Sequence, residues 1–119
     1  MPGPQGFPRR ERLTQKRGYE VVFRHGRKRV GAAFICYVAR REGEGRKFGL
    51  AVSRKVGSAV VRNRVKRFLR EFYRTHRTQF AQDVHIVVVA RPEAATLNFH
   101  ECTEAMRRLL KPGESSGNE

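Results

Sequence analysis

Between Lys55 and Glu71 the chain reads Lys-Val-Gly-Ser-Ala-Val-Val-Arg-Asn-Arg-Val-Lys-Arg-Phe-Leu-Arg-Glu, and the chemistry this stretch offers is the grip on a polyanion. Wound as a helix at about 100° per residue, Asn63, Lys66, Arg67, Arg70 and Arg74 line one face, with Arg62 and Arg64 on its flanks. At a rise of 1.5 Å per residue that row spans roughly 16 Å. Arginine suits the task because its planar fork meets phosphate oxygens in pairs and stacks on bases. Like charges three or four apart destabilise a helix by a few tenths of a kcal/mol per pair, and Glu71 is the one acid within the row to relieve them. A solvated face is the bland alternative, but so one-sided a row points to an anionic ligand. Arg54 and Lys55, just before the helix, extend the same surface. Gly57-Ser58 reads as turn and cap, and the helix start there adds unpaired N–H groups and a positive dipole end.

Residues that would break a phosphodiester bond are sparse. Protein-based hydrolysis calls for clustered carboxylates on metal or a histidine with a partner. Asp83 is the one aspartate, and the glutamates are dispersed through tails, loops and helix surfaces. His25, His76, His85 and His100 have no metal-ligand spacing, and His85, on an apolar strand, reads as a satisfied core histidine. Gly43 and Gly45 lack the Lys-Ser/Thr of a phosphate-binding loop. Cys36 and Cys102 lack paired zinc spacing and read as small buried hydrophobes. The polypeptide alone is therefore expected to be catalytically inert.

The elements that must carry the basic face follow from periodicity. Residues 1–10 form a Pro/Gly-rich leader, and Leu13-Thr14 opens a first helix, with Thr14 as its cap, that runs to Gly26 and places Tyr19, Val22 and Phe23 on one side. Arg27-Lys28-Arg29 reads as a connection. A strand from Val30 to Ala39 has no polar face: Phe34, Cys36 and Val38 point one way, Ile35, Tyr37 and Ala39 the other. A hairpin-like loop, Glu42 to Gly45, leads to a second, antiparallel strand from Lys47 to Arg54. The basic helix runs from Ala59 to near His76, with Val61, Val65, Phe68, Leu69 and Phe72 in its apolar sector. Val84 to Ala90 is a central buried strand, which the helical crossover is able to join in parallel. A last helix starts at Asn98 with Glu101 completing a capping box, and buries Phe99, Cys102, Met106, Leu109 and Leu110. The fold class is α/β (α+β), a two-layer sandwich of about three helices on a small mixed sheet in the order α-β-β-α-β-α. One domain spans 11–111, and residues 112–119 read as a disordered tail.

At 119 residues with 26 Lys and Arg against 11 acids, the formal charge is +15. That excess makes nucleic acid the default partner. No apolar run reaches a membrane span and no signal peptide is legible, so a cytoplasmic protein is expected.

The stretch from Lys55 to Glu71, with its Arg-Asn-Arg helix, closely resembles the signature of the protein subunit of bacterial ribonuclease P. The resemblance continues through Arg12-Leu13, Tyr19 to Gly26, Phe34 to Tyr37, Gly49 to Lys55 and Ile86 to Pro92. It implies a fold like domain 2 of ribosomal protein S5. It implies a catalytic RNA subunit as partner, in a 1:1 ribonucleoprotein, which uses Mg2+ held through that RNA to cut precursor tRNA and release its 5′ leader. Arg54, Lys55, Arg62, Asn63, Arg64, Lys66, Arg67 and Arg70 would then hold the RNA subunit. Tyr19, Phe23 and Tyr37 match an aromatic cleft that takes the leader, Tyr19 standing where the family leads one to expect phenylalanine. A ribosomal protein is the rival reading, since it too would be small and basic, and a stand-alone nuclease is the rival from another class. The aromatic trio disfavours the first.

Overall fold

A computed structural model describes residues 7–111. Helix α1 (Lys16–His25) leads into strand β1 (Arg27–Val30), then β2 (Phe34–Arg40) and β3 (Lys47–Ala51). Helix α2 (Ala59–His76), strand β4 (Val84–Ala90) and helix α3 (Phe99–Leu110) follow. The sheet order is β1-β2-β4-β3. β4 runs antiparallel to β2, with Val88 opposite Cys36, and parallel to β3, with Val88 beside Leu50. The crossover through α2 thus joins parallel strands, as its length allows.

Alternation along β4 explains the layers. Val84, Ile86, Val88 and Ala90 pack with Phe34, Cys36 and Phe48 under α2 and α3. Val87 and Val89 face the opposite way and meet Leu13, Tyr19, Val22, Tyr37 and Ala39. The expected sandwich of sheet and helices holds for α2 and α3, and α1 adds a partial layer on the other face. A strand with no polar face demands that second cover.

Several expectations are corrected. Arg27-Lys28-Arg29 belongs to β1, not a connection: Arg27 pairs with Val38 and Arg29 with Cys36. As an edge strand β1 needs no apolar face, and its charges blunt the open edge. The expected hairpin of β2 and β3 does not form, because β4 lies between them. β4 is the most apolar strand and gains a neighbour on each side. The loop from 41 to 46 instead arches across the start of β4, with Gly43 and Gly45 at φ 83° and 80°, a region that favours glycine. Arg40 pairs with Asp83 at 2.7 Å, and the His85 ring meets the Gly45 carbonyl at 3.0 Å. Helix α1 starts at Lys16 with Gln15 in the cap position, so Thr14 is not the cap.

The packed chain begins before residue 11. Phe7 lies 5.0 Å from the Tyr73 ring, and Arg9–Glu11 forms a 3-10 turn. The first six residues of the expected leader and the tail 112–119 fall outside the described residues. In α3, Cys102, Met106 and Leu110 are buried as expected, whereas Phe99 stays 41% exposed, edge-on to Phe68. It is the first residue of α3.

Candidate nucleic-acid interface

Helix α2 forms where its sequence signals place it. The Ser58 hydroxyl accepts from the Val61 N–H at 3.4 Å, and Val65, Leu69, Phe72 and Tyr73 are buried. Burial of that stripe fixes the rotation of the helix, so the opposite side must face water. Arg54, Lys55, Asn63, Arg67 and Arg70 are exposed there, and Arg62, Arg64 and Lys66 are half-buried. The row of cations is therefore continuous along α2 and onto the loop before it.

Its members are not equivalent. Arg62 Nε donates to the Gly57 carbonyl at 3.1 Å, which closes the loop that carries Arg54 and Lys55. Arg64 donates to the Ala95 carbonyl at 2.6 Å, bracing α2 against the 3-10 turn Pro92–Thr96. Arg74 pairs with Glu71 at 2.5 Å, so its charge is offset. Arg67 lies over the Phe68 ring at 5.4 Å and is exposed. Sequence spacing showed a uniform row; the tethers depend on carbonyls that no helical period announces.

The aromatic trio comes together on the α1 face of the sheet. Phe23 stands edge-on to Tyr37 at 4.8 Å and 6.4 Å from Tyr19, and Phe23 is 41% exposed. Tyr19 is held more firmly. Its hydroxyl donates to the Leu50 carbonyl and accepts from the Leu50 N–H, at 3.2 and 3.1 Å, on the open edge of β3. The ring covers Gly49, where an added Cβ would come within 2.8 Å of it.

Glu11 is a charged residue that the dispersed-glutamate reading missed. It is 5% exposed. Arg77 donates to both carboxylate oxygens and the Tyr73 hydroxyl to one of them at 2.7 Å, while Arg46 lies 3.9 Å away. Burial alone would raise its pKa, but hydrogen bonds from Arg77 and Tyr73 and the charges of Arg77 and Arg46 outweigh that, holding it below the usual carboxylate range. Asp83 is likewise lowered by its bonds to Arg40, and Glu71 by its bonds to Arg74. His85 is buried and titrates lower than usual because burial disfavours its charged form. Burial pushes the Cys36 and Cys102 thiols up to about 12, which makes them inert packing groups. Among the described residues no three His, Cys, Asp or Glu side chains converge to hold a metal, and no helix is long and apolar enough to cross a membrane.

Comparison with known proteins gives a consistent answer. A family model described as Ribonuclease P matches residues 7–113. The chain is 38% identical over 114 residues to the ribonuclease P protein component of Dictyoglomus thermophilum, spanning 93% of this chain and 92% of that one. It is 33% identical over 103 residues to that of Listeria monocytogenes, spanning 86% and 87%. Among solved structures, an RNase P protein from Staphylococcus aureus superposes with a TM-score of 0.80 at 24% identity, covering 87% of this chain and 95% of that one. The RNase P protein from Thermotoga maritima gives 0.76 at 25% identity, covering 90% and 99%.

Proposed function

The chain belongs to the ribonuclease P protein family, and from that premise we propose that it is the protein subunit of a ribonucleoprotein that removes the 5′ leader from precursor tRNA. The observation that carries this reading is the exposed cationic ridge on a helix whose other side is locked into the core. Arg54, Lys55, Asn63, Arg67 and Arg70 present donors to the phosphates of the RNA subunit. Arg62 and Arg64 hold the surrounding loops in place and add charge at the margins, and Lys66 faces the groove beside the ridge. Leader bases stack on Phe23, Tyr37 and Tyr19, at about 1–3 kcal/mol per base and with little demand on sequence.

Bond cleavage falls to the RNA subunit in this reading, and the Mg2+ it uses is bound there. The chain's own acids support that division, since Glu11, Glu71 and Asp83 are each committed to an arginine. The assembly is a 1:1 complex working in the cytoplasm. Purified protein free of RNA, incubated with precursor tRNA and Mg2+, is expected to leave it uncut, and the RNA subunit added at low Mg2+ restores cleavage. Robust cutting by the protein alone would sink the assignment.

A further inference from the structure

Among the described residues the large apolar side chains that stand exposed are Phe23, Val30, Val60 and Phe99. Phe23 belongs to the aromatic trio, and Val30 lines a groove between the β1–β2 turn and α3. Val60 and Phe99 instead border the cationic ridge. On a helix of 3.6 residues per turn, Val60, Arg64, Arg67 and Phe68 share a sector about 100° wide, next to that of Asn63, Lys66 and Arg70. The Arg64 bond to the Ala95 carbonyl, 2.6 Å long, turns this sector toward the start of α3. There the Phe68 and Phe99 rings meet edge to face, 5.6 Å between centres and inclined at 61°. Phe68 is half-buried and has the Arg67 guanidinium 5.4 Å from its centre, so Phe99 is the ring that offers surface to solvent. The acids nearest in sequence are engaged elsewhere: Glu71 pairs with Arg74, and Glu101 accepts from the Asn98 N–H.

We propose that Phe99, held edge-on by Phe68, is a stacking platform for one unpaired base of the RNA subunit, at the flank of the ridge that meets its phosphates. An open ring beside an arginine suits a nucleotide, because the base takes the ring while the phosphate takes the guanidinium. A partner protein's apolar surface would have to bury Arg67 at the same time, a desolvation cost that a phosphate-bearing strand offsets. The proposal rests on the reading of the ridge as the RNA-subunit surface. It adds to that surface a residue of α3 and a contact made to a base rather than to a phosphate.

The test measures binding of the full chain to the RNA subunit across a salt series. Losing one stacked base should weaken binding about 5- to 150-fold in Phe99→Ala. Phe99→Leu, which keeps an apolar side chain but no ring, should lose nearly as much, and Phe99→Trp should bind at least as tightly as wild type. The slope of log K against log salt should stay parallel to wild type, since no phosphate contact is removed. Wild-type affinity in Phe99→Leu overturns the stacking, and so does a slope lowered by about 0.7 or more, the signature of a lost phosphate. If Phe99→Ala does not fold, Phe99→Leu carries the comparison alone. Acylation of RNA 2′-hydroxyls at saturating protein gives a readout independent of affinity. One or two unpaired nucleotides should become more reactive in the Phe99→Leu complex, and an unchanged pattern overturns the platform. Failure of the ridge reading looks different: Arg67→Gln/Arg70→Gln would then leave the slope unaltered, whereas failure of the platform alone leaves that pair with its reduced slope.

Discussion

Arg64 and Arg67 are three residues apart on one helix yet are expected to respond differently to truncation. Arg67 donates to no carbonyl among the described residues, so Arg67→Ala should not lower the melting temperature while reducing the salt slope of RNA-subunit binding by close to one unit. Arg64→Ala breaks a charge-assisted bond to Ala95, worth about 1.5 kcal/mol, and should lower the melting temperature by about 5–10 °C. Equal melting of the two variants would contradict the brace. Glu11 makes the same point for the interior. Its pKa is depressed in the fold, so its contribution is complete above the unfolded value of about 4.3 and fades as pH falls through the lower folded value. Glu11→Gln strips the counter-charge from a nearly buried Arg77 and should cost about 3 kcal/mol at pH 7 in urea unfolding. The gap to wild type should narrow below about pH 4; a gap that is constant with pH would show that the carboxylate charge is not what matters.

At the level of elements, the edge of β3 is covered at Phe48 by the backbone of Arg12 and Leu13 and closed at Leu50 by a side chain rather than by a strand. Tyr19→Phe keeps the ring and removes both bonds to Leu50, so the Leu50 amide should exchange with solvent at least tenfold faster. Unaltered exchange at Leu50 would show that the hydroxyl does not guard the edge. Gly49→Ala should mimic it by pushing the ring away. Such an edge device was not legible beforehand, and the reason is general. Helices α2 and α3 announced their limits because Ser58, and Asn98 with Glu101, act within one turn of chain, and both caps form. The stripe on α2 and the two apolar faces of β2 were equally readable, since period and burial go together. Sheet order was not. Whether β3 or β4 lies beside β2 depends on which strand most needs two neighbours, a comparison across more than 30 residues that no local pattern carries. β1 hid for the opposite reason: an edge strand survives with arginine and lysine where an inner strand would not. In the candidate site the ridge and the trio were foreseeable from residue type, while the tethers of Arg62 and Arg64 and the anchoring of Glu11 arise from carbonyls and partners brought in by the fold.

For the molecule as a whole the formal charge is +15, and the fold that carries most of it has extents of 37 × 35 × 26 Å. Self-repulsion on that scale opposes compaction, and the described acids relieve it only locally, at Arg40, Arg41, Arg46, Arg74, Arg77 and Arg91. Lys66 and Arg70 on the ridge make no side-chain hydrogen bond or ion pair among the described residues, so the free protein should be less stable than the same fold with an anion seated. Because an anion that binds the folded state stabilises it by RT ln(1 + [L]/Kd), sulfate at 100 times its dissociation constant adds about 2.7 kcal/mol. For a domain of this size that corresponds to a rise of roughly 10 °C or more in melting temperature. Sodium sulfate is expected to produce this rise, and sodium chloride at matched ionic strength is expected to produce a much smaller one, since screening weakens repulsion without occupying a site. Substituting Arg67 and Arg70 by glutamine should shrink the sulfate effect while raising the melting temperature in its absence, because the same charges that attract the anion repel each other without it. Identical curves in the two salts would mean that the cations act only as a diffuse cloud, and would remove the argument that the fold is organised to present them.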